Sequence, residues 1–160
     1  MSLVLDASIT LAWCFEDQAT PLSQAVLEQL ANDRGLVPEL WPFEVANVLA
    51  LAGRRGRLTH SQASHFIRLI DQLPITVEEL GRDQVFTTVL NLSESSGLTV
   101  YDASYLALAA QAGVPLATSD ERLRQAGIAA GVELFQAPTK SAADLVLDDR
   151  REGSGESREP

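Results

Sequence analysis

Short apolar runs alternate with longer amphipathic segments along most of this chain. The short runs, such as Leu3-Val4-Leu5, are flanked by polar or turn-forming residues, a pattern typical of buried parallel strands. The longer segments repeat apolar residues at helical spacing. The predicted strands lie near residues 2–5, 36–38, 75–77, 115–118 and 132–134, and the predicted helices near 8–14, 21–32, 42–55, 60–72, 82–96, 101–112 and 120–126. This alternation predicts an α/β fold with a central parallel sheet of four or five strands and helices on both faces.

The segment from residue 42 to residue 73 predicts a protruding helical hairpin with its turn at Arg57-Leu58-Thr59. Both helices carry more apolar side chains than a single core-facing stripe needs. The extra surface either clasps a partner protein, pairs with a second copy of the chain, or adds to the core. His60 and His65 lie here without a second ligand at a metal-motif spacing, so we expect them to be exposed or packed.

The composition indicates one soluble globular domain followed by a polar tail. Of the 160 residues 46% are apolar, and no apolar run approaches the roughly 20 residues that span a bilayer. We expect the domain to cover residues 1–138 and the polar segment 139–160 to be disordered. The single cysteine, Cys14, cannot form an internal disulfide, and no signal-peptide pattern is present at the N-terminus. A packed thiol, a cytoplasmic location and no membrane association are therefore expected.

Four acidic residues stand where a predicted strand ends or a predicted helix begins. Asp6 and Asp120 stand just after the predicted strands 2–5 and 115–118. Glu44 and Asp102 lie in the first turns of predicted helices. The C-terminal end of a parallel strand and the start of the next helix share one edge of the sheet, which is the edge where α/β folds bind ligands. The pattern therefore predicts a divalent-metal site made of four carboxylates.

Each acid taken alone has a simpler explanation. An acidic side chain at the start of a helix caps it or favours its dipole, which stabilises the fold by roughly 0.5–2 kcal/mol. The four together are different, because two carboxylates about 4 Å apart repel by about 4 kcal/mol at an effective dielectric constant of 20. If the four converge, a cation or bound protons must offset that repulsion.

The charge distribution weakens the usual argument against nucleic-acid binding. The formal net charge is −10, but residues 1–138 hold 16 acidic residues and 8 arginines, and removing the four candidate ligands leaves 12 against 8, or −4. Five arginines form two clusters, one at the end of the predicted helix 42–55 and one after the fourth acid: Arg54, Arg55 and Arg57, and Arg122 and Arg124. The first cluster either complements the helix dipole or binds phosphate. The second begins nearer the proposed site and is the better candidate for phosphate binding.

Four segments carry the acids, and together they resemble a known family. They are Val4-Leu5-Asp6-Ala7-Ser8, Glu44-Val45-Ala46-Asn47-Val48-Leu49, Tyr101-Asp102-Ala103-Ser104-Tyr105-Leu106-Ala107-Leu108-Ala109 and Ala117-Thr118-Ser119-Asp120. In order and spacing they resemble the PIN-domain ribonucleases, above all the VapC-type toxins of prokaryotic toxin–antitoxin pairs. The resemblance covers about residues 1–137 and implies a PIN-like three-layer sandwich.

The resemblance also implies a hydrolytic site. The residues that match the family's acidic quartet are Asp6, Glu44, Asp102 and Asp120, and those that match its small hydroxyl positions are Ser8 and either Thr118 or Ser119. Asp6 and Asp102 would be the central ligands, with the hydroxyls holding a carboxylate or a water. Oxygen ligands favour Mg²⁺ or Mn²⁺, and one or two such ions would promote hydrolysis of RNA phosphodiester bonds. The products would carry 5′-phosphate and 3′-hydroxyl ends.

Three kinds of partner follow from the same resemblance: an RNA substrate, a small antitoxin that covers the acidic edge, and a second copy in a homodimer. The substrate would be a tRNA, rRNA or mRNA that presents unstacked bases. No aromatic platform for such bases is obvious from Trp13, Trp41, Tyr101 and Tyr105. Trp41 and Tyr101 lie near the predicted edge, and we expect both to be packed.

Three other functions compete with a toxin. A housekeeping RNA-processing nuclease would use the same chemistry. A non-catalytic binding module would use the quartet for a structural metal or for helix caps, and metal-dependent turnover would exclude it. An aspartate-phosphorylating hydrolase or receiver module is disfavoured, because Ser8 stands where a second acid is usual and no lysine precedes Lys140.

Overall fold

The central feature of the fold is a four-stranded parallel sheet, described for residues 1–138 in a computed structural model. The strand order is β3-β2-β1-β4, and all three pairs are parallel. The strands are β1 (Ser2–Leu5), β2 (Arg34–Pro38), β3 (Ile75–Glu78) and β4 (Leu116–Ala117). The predicted α/β fold with a parallel sheet is confirmed.

Strand β1 lies inside the sheet and sets the register around the site. Val4 pairs with Leu36 of β2 on one side and with Leu116 of β4 on the other. Val4 is fully buried, as expected for a strand covered on both faces. Because β1 and β4 are parallel and in register, the residues that follow them emerge side by side at one edge.

Eight α-helices connect and cover the strands in residues 1–138. They are α1 (Ala7–Ala12), α2 (Pro21–Gln29), α3 (Trp41–Arg54), α4 (His60–Ile70), α5 (Arg82–Gln84), α6 (Leu90–Ser96), α7 (Val100–Ala112) and α8 (Glu121–Ala129). A 3₁₀ turn at Glu16–Gln18 follows α1, and a π-helical segment at Val85–Val89 joins α5 to α6. The predicted helix near 82–96 is therefore interrupted by a wider turn, for which the sequence carries no signal.

Helix α7 is the central helix of the fold. Its residues Ala103–Ala109 are all buried, and it contacts β1, β2, β4, α6 and α8. Thr99 caps its N-terminus, where its hydroxyl accepts the Asp102 amide at 3.1 Å. Gly113, with φ +63°, ends it in the left-handed conformation that glycine adopts without strain. Because α7 is held on so many sides, side chains projecting from its first turns have little freedom to move.

The predicted fifth strand at 132–134 is wrong. In its place a single parallel bridge joins Leu116 to Leu134. Two backbone hydrogen bonds form it, from Leu116 N to Glu133 O at 2.8 Å and from Phe135 N to Leu116 O at 2.9 Å. Strand β4 has only two residues, so it is too short to pair with a fifth strand over more than this one bridge. The predicted disordered tail, 139–160, lies outside the described residues.

The predicted helical hairpin is present as α3 and α4. It contributes core residues, including Val45 and Leu49 from α3 and Phe66 from α4. It also leaves a groove of about 360 Å³ open between α3, α4 and the edge strand β3. Ile67 and Val77 line this groove and are 48% and 47% exposed. The hairpin therefore both adds to the core and presents an apolar surface.

Three expectations from the sequence concern the histidines, the cysteine and membrane-spanning helices. His60 and His65 are both exposed on α4, as predicted. Cys14 is half-buried, and burial raises the pKa of its thiol, which favours the unreactive protonated form. Within residues 1–138 no helix has the length and hydropathy needed to cross a bilayer.

Replacing Gly35 of β2 by alanine is expected to lower the free energy of unfolding by about 1–3 kcal/mol. The added Cβ would lie 2.6 Å from Leu5 Cδ2 and 3.2 Å from Leu30 Cδ2, and both leucines are buried. Gly53→Ala in the exposed face of α3 is the matched control, because its Cβ meets nothing nearer than 3.7 Å. That control should gain up to about 1 kcal/mol in urea unfolding. Equal midpoints for the two variants would contradict this packing.

Candidate active site

Asp6 is the buried centre of the site. It follows β1 and caps the N-terminus of α1, where its Oδ1 accepts the Ile9 amide at 3.2 Å. The same oxygen accepts the Ser8 hydroxyl, and Oδ2 accepts the Thr118 hydroxyl. The residue is only 5% exposed. A carboxylate with this many donors keeps a defined orientation at the carboxyl edge of the sheet.

The end of β4 supplies the second wall of the site. Leu5 and Ala117 are register partners, and the Asp6 amide donates to Ala117 O at 3.1 Å, so Thr118 is brought beside Asp6. Thr118 Oγ1 also accepts the Asp120 amide at 3.0 Å. The predicted Thr118 hydroxyl therefore contacts an acid of the site.

Ser8 and Ser119 have different positions at this wall. The Ser8 hydroxyl donates to Asp6 and accepts the Ser119 amide at 3.2 Å. Ser119 is exposed. It is connected to the site through its backbone amide, which donates to the Ser8 hydroxyl. Of the two alternatives at 118 and 119, the threonine supplies the hydroxyl that touches Asp6.

Glu44 enters the site from the first turn of α3 and is half-buried. Its Oε2 accepts the hydroxyl of Tyr105, which lies on α7. This contact joins two helices 61 positions apart in the sequence. It was not predicted from the sequence, where Tyr105 was noted only as an aromatic without an evident role. The spacing of three residues from Asp102, which puts both on one side of α7, could have placed Tyr105 near the site but not against Glu44.

Asp102 is held at the start of α7 by the capping threonine. Thr99 Oγ1 donates to Asp102 Oδ2 at 3.0 Å and accepts the Asp102 amide at 3.1 Å. A hydroxyl three residues before an acid at a helix start is the capping-box spacing. Thr99 is thus a second residue that could have been identified from the sequence as a partner of the site.

Three of the four acids interact electrostatically. Burial raises the pKa of Asp6 and the charge of Asp102 raises it further, against hydrogen bonds from Ser8, Thr118 and the Ile9 amide that lower it. Burial likewise raises the pKa of Glu44, with further increases from Asp102 and Asp6 and an opposing hydrogen bond from Tyr105. The charge of Asp102 acts on both Asp6 and Glu44, and the charge of Asp6 acts on Glu44, so the three acids share one region of negative potential.

Asp120 stands apart from this group. It is exposed and caps α8, with Oδ1 accepting the Leu123 amide at 2.8 Å. Its charge is not among the causes that raise the pKa of Asp6 or Glu44. Its backbone is tied to the site through Thr118. The structure therefore brings three of the predicted acids together and places the fourth at the margin.

The donor chemistry of this edge fits Mg²⁺ or Mn²⁺, which prefer carboxylate oxygens. Within residues 1–138 no three His, Cys, Asp or Glu side chains are gathered closely enough to form a ready-made cage for one ion. Mg²⁺ does not need such a cage, because it keeps several waters and binds through one or two carboxylates plus a substrate phosphate. Burial is the first cause of the raised pKa values of Asp6 and Glu44, and the neighbouring carboxylates raise them further, so a bound cation would favour the charged form of both.

Comparison with known proteins defines the family. A family model for the PIN domain matches residues 3–129, which is most of the chain. The chain belongs to the PIN-domain family. Ribonuclease VapC3 of Pyrobaculum aerophilum is 30% identical to it over 125 residues, which cover 78% of this chain and 94% of that protein. The resemblance proposed from the four acidic segments is confirmed.

Solved structures share the architecture of this PIN domain. VapC20 of Mycobacterium tuberculosis, a toxin that cleaves the sarcin-ricin loop, matches with a TM-score of 0.57 and 16% identity, over 84% of this chain and 98% of that one. VapBC2 of Rickettsia felis, solved with a DNA fragment from its promoter, matches with a TM-score of 0.55 and 12% identity, again over 84% and 98%. At these identities the likeness establishes the fold.

In the first arginine cluster, Arg54, Arg55 and Arg57, only Arg57 makes an ion pair within residues 1–138. Arg57 donates to Asp17 at 3.0 Å, and its guanidinium lies 5.1 Å from the centre of the Phe15 ring. Arg54 and Arg55 are exposed at the end of α3 and make no ion pair with another residue of the described range. Of these three, Arg54 and Arg55 keep their charge available for a phosphate.

The second cluster is engaged within the PIN domain. Arg122 donates to the backbone oxygen of Gly97 at 2.7 Å, which ties α8 to the end of α6. Arg124 pairs with Glu121 one turn earlier at 3.4 Å. These contacts give both side chains a local role, while their assignment as RNA contacts stays a prediction.

The two aromatics near the edge behave differently. Trp41 is 8% exposed and its indole donates to Thr10 Oγ1 at 3.1 Å, so the predicted packing is confirmed. Tyr101 is 64% exposed, so its predicted packing is wrong. It directly precedes Asp102 in the first turn of α7 and is not among the buried residues of that helix. An exposed aromatic ring therefore adjoins one acid of the site.

Proposed function

We propose that this PIN domain is a metal-dependent endoribonuclease and the toxin of a toxin–antitoxin pair. The observation that carries the proposal is the electrostatic coupling of Asp6, Glu44 and Asp102 at the carboxyl edge of the sheet. The 30% identity to Ribonuclease VapC3, over 94% of that protein, supports ribonuclease chemistry at this edge. A cytoplasmic location is part of this proposal, because cellular RNA would be its substrate.

The chemistry is hydrolysis of a phosphodiester bond. Bound Mg²⁺ or Mn²⁺ would supply positive charge to the scissile phosphate and lower the pKa of the attacking water. Asp6 and Asp102 would hold the ion or ions, and Ser8 and Thr118 keep Asp6 in its orientation. In-line attack by water breaks the bond from phosphorus to O3′. The 3′-oxygen leaves with a proton, so the products end in 3′-hydroxyl and 5′-phosphate.

Asp120 has a secondary place in this scheme. Its carboxylate caps α8, and its backbone is joined to Thr118, which in turn holds Asp6. We expect it to orient water or substrate at the margin of the site. Its Oδ1 is engaged by the Leu123 amide, so Oδ2 of this exposed carboxylate is the oxygen that would accept a hydrogen bond from such a water.

A small antitoxin is the proposed protein partner. The VapBC2 structure is an assembly with the same fold for its toxin chain, which supports a partner of this kind. The apolar groove between α3, α4 and β3 offers a surface that such a partner would cover. A second copy of the chain is the other expected partner, and Phe86, 67% exposed, and Leu90, 40% exposed, are apolar residues that a homodimer would bury.

The proposed RNA-binding surface has few basic side chains for contacts with phosphate. Arg54, Arg55 and Arg122 are the predicted arginines without an ion pair among residues 1–138, and Arg122 is already bonded to the Gly97 backbone oxygen. Arg54 and Arg55 are therefore the more available cations, and Tyr101 offers an exposed ring one position before Asp102. A loop of tRNA, rRNA or mRNA with unstacked bases would use both kinds of contact. A double-stranded RNA would instead need an extended basic face.

Purified protein incubated with total RNA and transfer RNA tests the proposed function. Discrete fragments are expected with Mg²⁺ or Mn²⁺, none with excess chelator, and none from the Asp6→Asn plus Asp102→Asn double variant. Co-expression with the product of a short neighbouring reading frame should relieve growth arrest if the enzyme is a toxin. Cleavage without arrest would favour a housekeeping nuclease. No cleavage by folded, antitoxin-free protein would favour a binding module.

A further inference from the structure

Tyr105 is the largest fully buried side chain of residues 1–138, yet its hydroxyl ends at a carboxylate. It is 1% exposed and lies on the buried side of α7. The neighbouring buried positions of this helix, Ala103 to Ala109, are otherwise alanine, leucine and Ser104. A phenylalanine would fill the same space without bringing a polar group inside. The hydroxyl therefore has a purpose that packing alone does not explain.

Three elements converge on this hydroxyl. It donates to Glu44 Oε2 from α3, and the backbone amide of Ala7 at the start of α1 is directed towards it. The charge of Asp6 also acts on it. Tyr105 is therefore in contact with Glu44, close to Asp6, and one helical turn from Asp102.

A tyrosine hydroxyl has one proton to donate. Here that proton is used on Oε2 of Glu44, which leaves Oε1 of the same carboxylate without a side-chain donor among the described residues. Without this contact Glu44 would rotate freely about its terminal bonds, since a half-buried glutamate keeps much of its rotamer freedom. The contact selects one orientation of the Glu44 carboxylate, in which Oε2 is bound by Tyr105 and Oε1 is left for another partner.

We propose that Tyr105 is a positioning residue that holds Glu44 Oε2 so that Oε1 is presented to a divalent cation. This inference rests on the proposed function, because it requires a metal at the acidic edge. It assigns Tyr105 no contact with RNA or with the reacting atoms. Its effect passes entirely through Glu44, so it must disappear when Glu44 can no longer bind a cation.

The test is a double-variant cycle read by Mn²⁺ binding, measured by calorimetry on the metal-free full chain. Tyr105→Phe is expected to weaken Mn²⁺ binding by about 10-fold or more, the usual effect of removing a group that orients a metal ligand. In a Glu44→Gln background the same change should alter the affinity less than about twofold, because the ligand it orients is already gone. Cleavage rates measured at saturating Mn²⁺ should recover part of the loss in Tyr105→Phe.

Thr10→Val is the matched control, because it also removes one buried hydroxyl, and this hydroxyl accepts the Trp41 indole and makes no hydrogen bond to an acid of the site. It should lower stability without changing Mn²⁺ affinity. If Tyr105→Phe does not fold, Tyr105→Met tests the same contact, since it also removes the hydroxyl and leaves the Glu44 carboxylate unchanged, and it should lose Mn²⁺ affinity to a similar extent.

Three outcomes of this experiment are distinguishable. Tight Mn²⁺ binding by wild type and equally tight binding by Tyr105→Phe would overturn the positioning role and leave the proposed nuclease intact. Absence of Mn²⁺ binding by wild-type protein would overturn the metal site itself, and the positioning role with it. An equal loss in the Glu44 and Glu44→Gln backgrounds would show that Tyr105 acts only on the fold.

Discussion

Replacing Asp102 by asparagine is expected to reduce the rate of RNA cleavage by at least about a thousandfold. A metal ion contributes several kcal/mol to stabilising the transition state, and about 4 kcal/mol corresponds to three orders of magnitude in rate. Asparagine has the same shape and can still accept the Thr99 hydroxyl, so the cap of α7 survives. The fold should therefore be retained, as circular dichroism and unfolding midpoints would show. Asp6→Asn should have an effect of the same size.

Asp120→Asn is the informative control for this experiment. Asparagine also caps helices well, and the Asp120 charge does not act on Asp6 or Glu44. We expect a loss of no more than about tenfold in single-turnover cleavage, in line with a residue that orients rather than holds the ion. Equal losses for Asp102→Asn and Asp120→Asn would show that all four acids act as one unit.

The second large effect is on stability, which should depend on both pH and metal. Burial and repulsion raise the pKa of Asp6 and of Glu44 above the ordinary values of 3.8 and 4.5 for these side chains. The folded protein therefore binds these protons more tightly than the unfolded chain does. The stabilisation from these protons is fully present at a pH below the pKa values of the unfolded chain. It is lost as the pH rises through the higher pKa values of the folded protein. Metal-free protein should thus lose stability from these groups as the pH approaches neutrality.

Saturating Mn²⁺ should reverse that loss at neutral pH, because the ion replaces the protons. At a concentration 100 times the Kd the stabilisation is about 2.7 kcal/mol, or roughly 5–10 °C in Tm for a domain of this size. Thermal unfolding at several pH values, with chelator or with Mn²⁺, measures both effects. Asp6→Asn should be less sensitive to pH and should gain little from Mn²⁺. The same Mn²⁺ shift in wild type and in Asp6→Asn would place the ion elsewhere.

Local signals were sufficient to predict most of the fold. The apolar run before Asp6 forms β1, and Asp6 itself caps the next helix, as its position after the run suggested. Caps, glycine stops and apolar spacing act over a few residues, so a single sequence reveals them. The run at 132–134 looked similar, but whether it forms a strand depends on the length of its neighbour β4, which is not a local property.

The site was predictable in part for the same reason. Three acids at helix starts do share one edge, because the topology of parallel strands puts them there. Contacts between distant elements were out of reach: the bond from Tyr105 to Glu44 spans 61 positions, and the exposure of Tyr101 depends on which side of α7 meets the sheet. The separation of Asp120 from the other acids is likewise decided by tertiary packing.

The most direct test of a metal-dependent nuclease centred on Asp6, Glu44 and Asp102 is the chemistry of the product ends as free Mn²⁺ is varied. A defined RNA that the protein cleaves would be analysed by mass spectrometry after reaction with Mn²⁺ and with excess chelator. We predict 3′-hydroxyl and 5′-phosphate ends, formed only with Mn²⁺. Cleavage that continues in chelator and leaves 2′,3′-cyclic phosphates would contradict the metal site and the hydrolytic mechanism together.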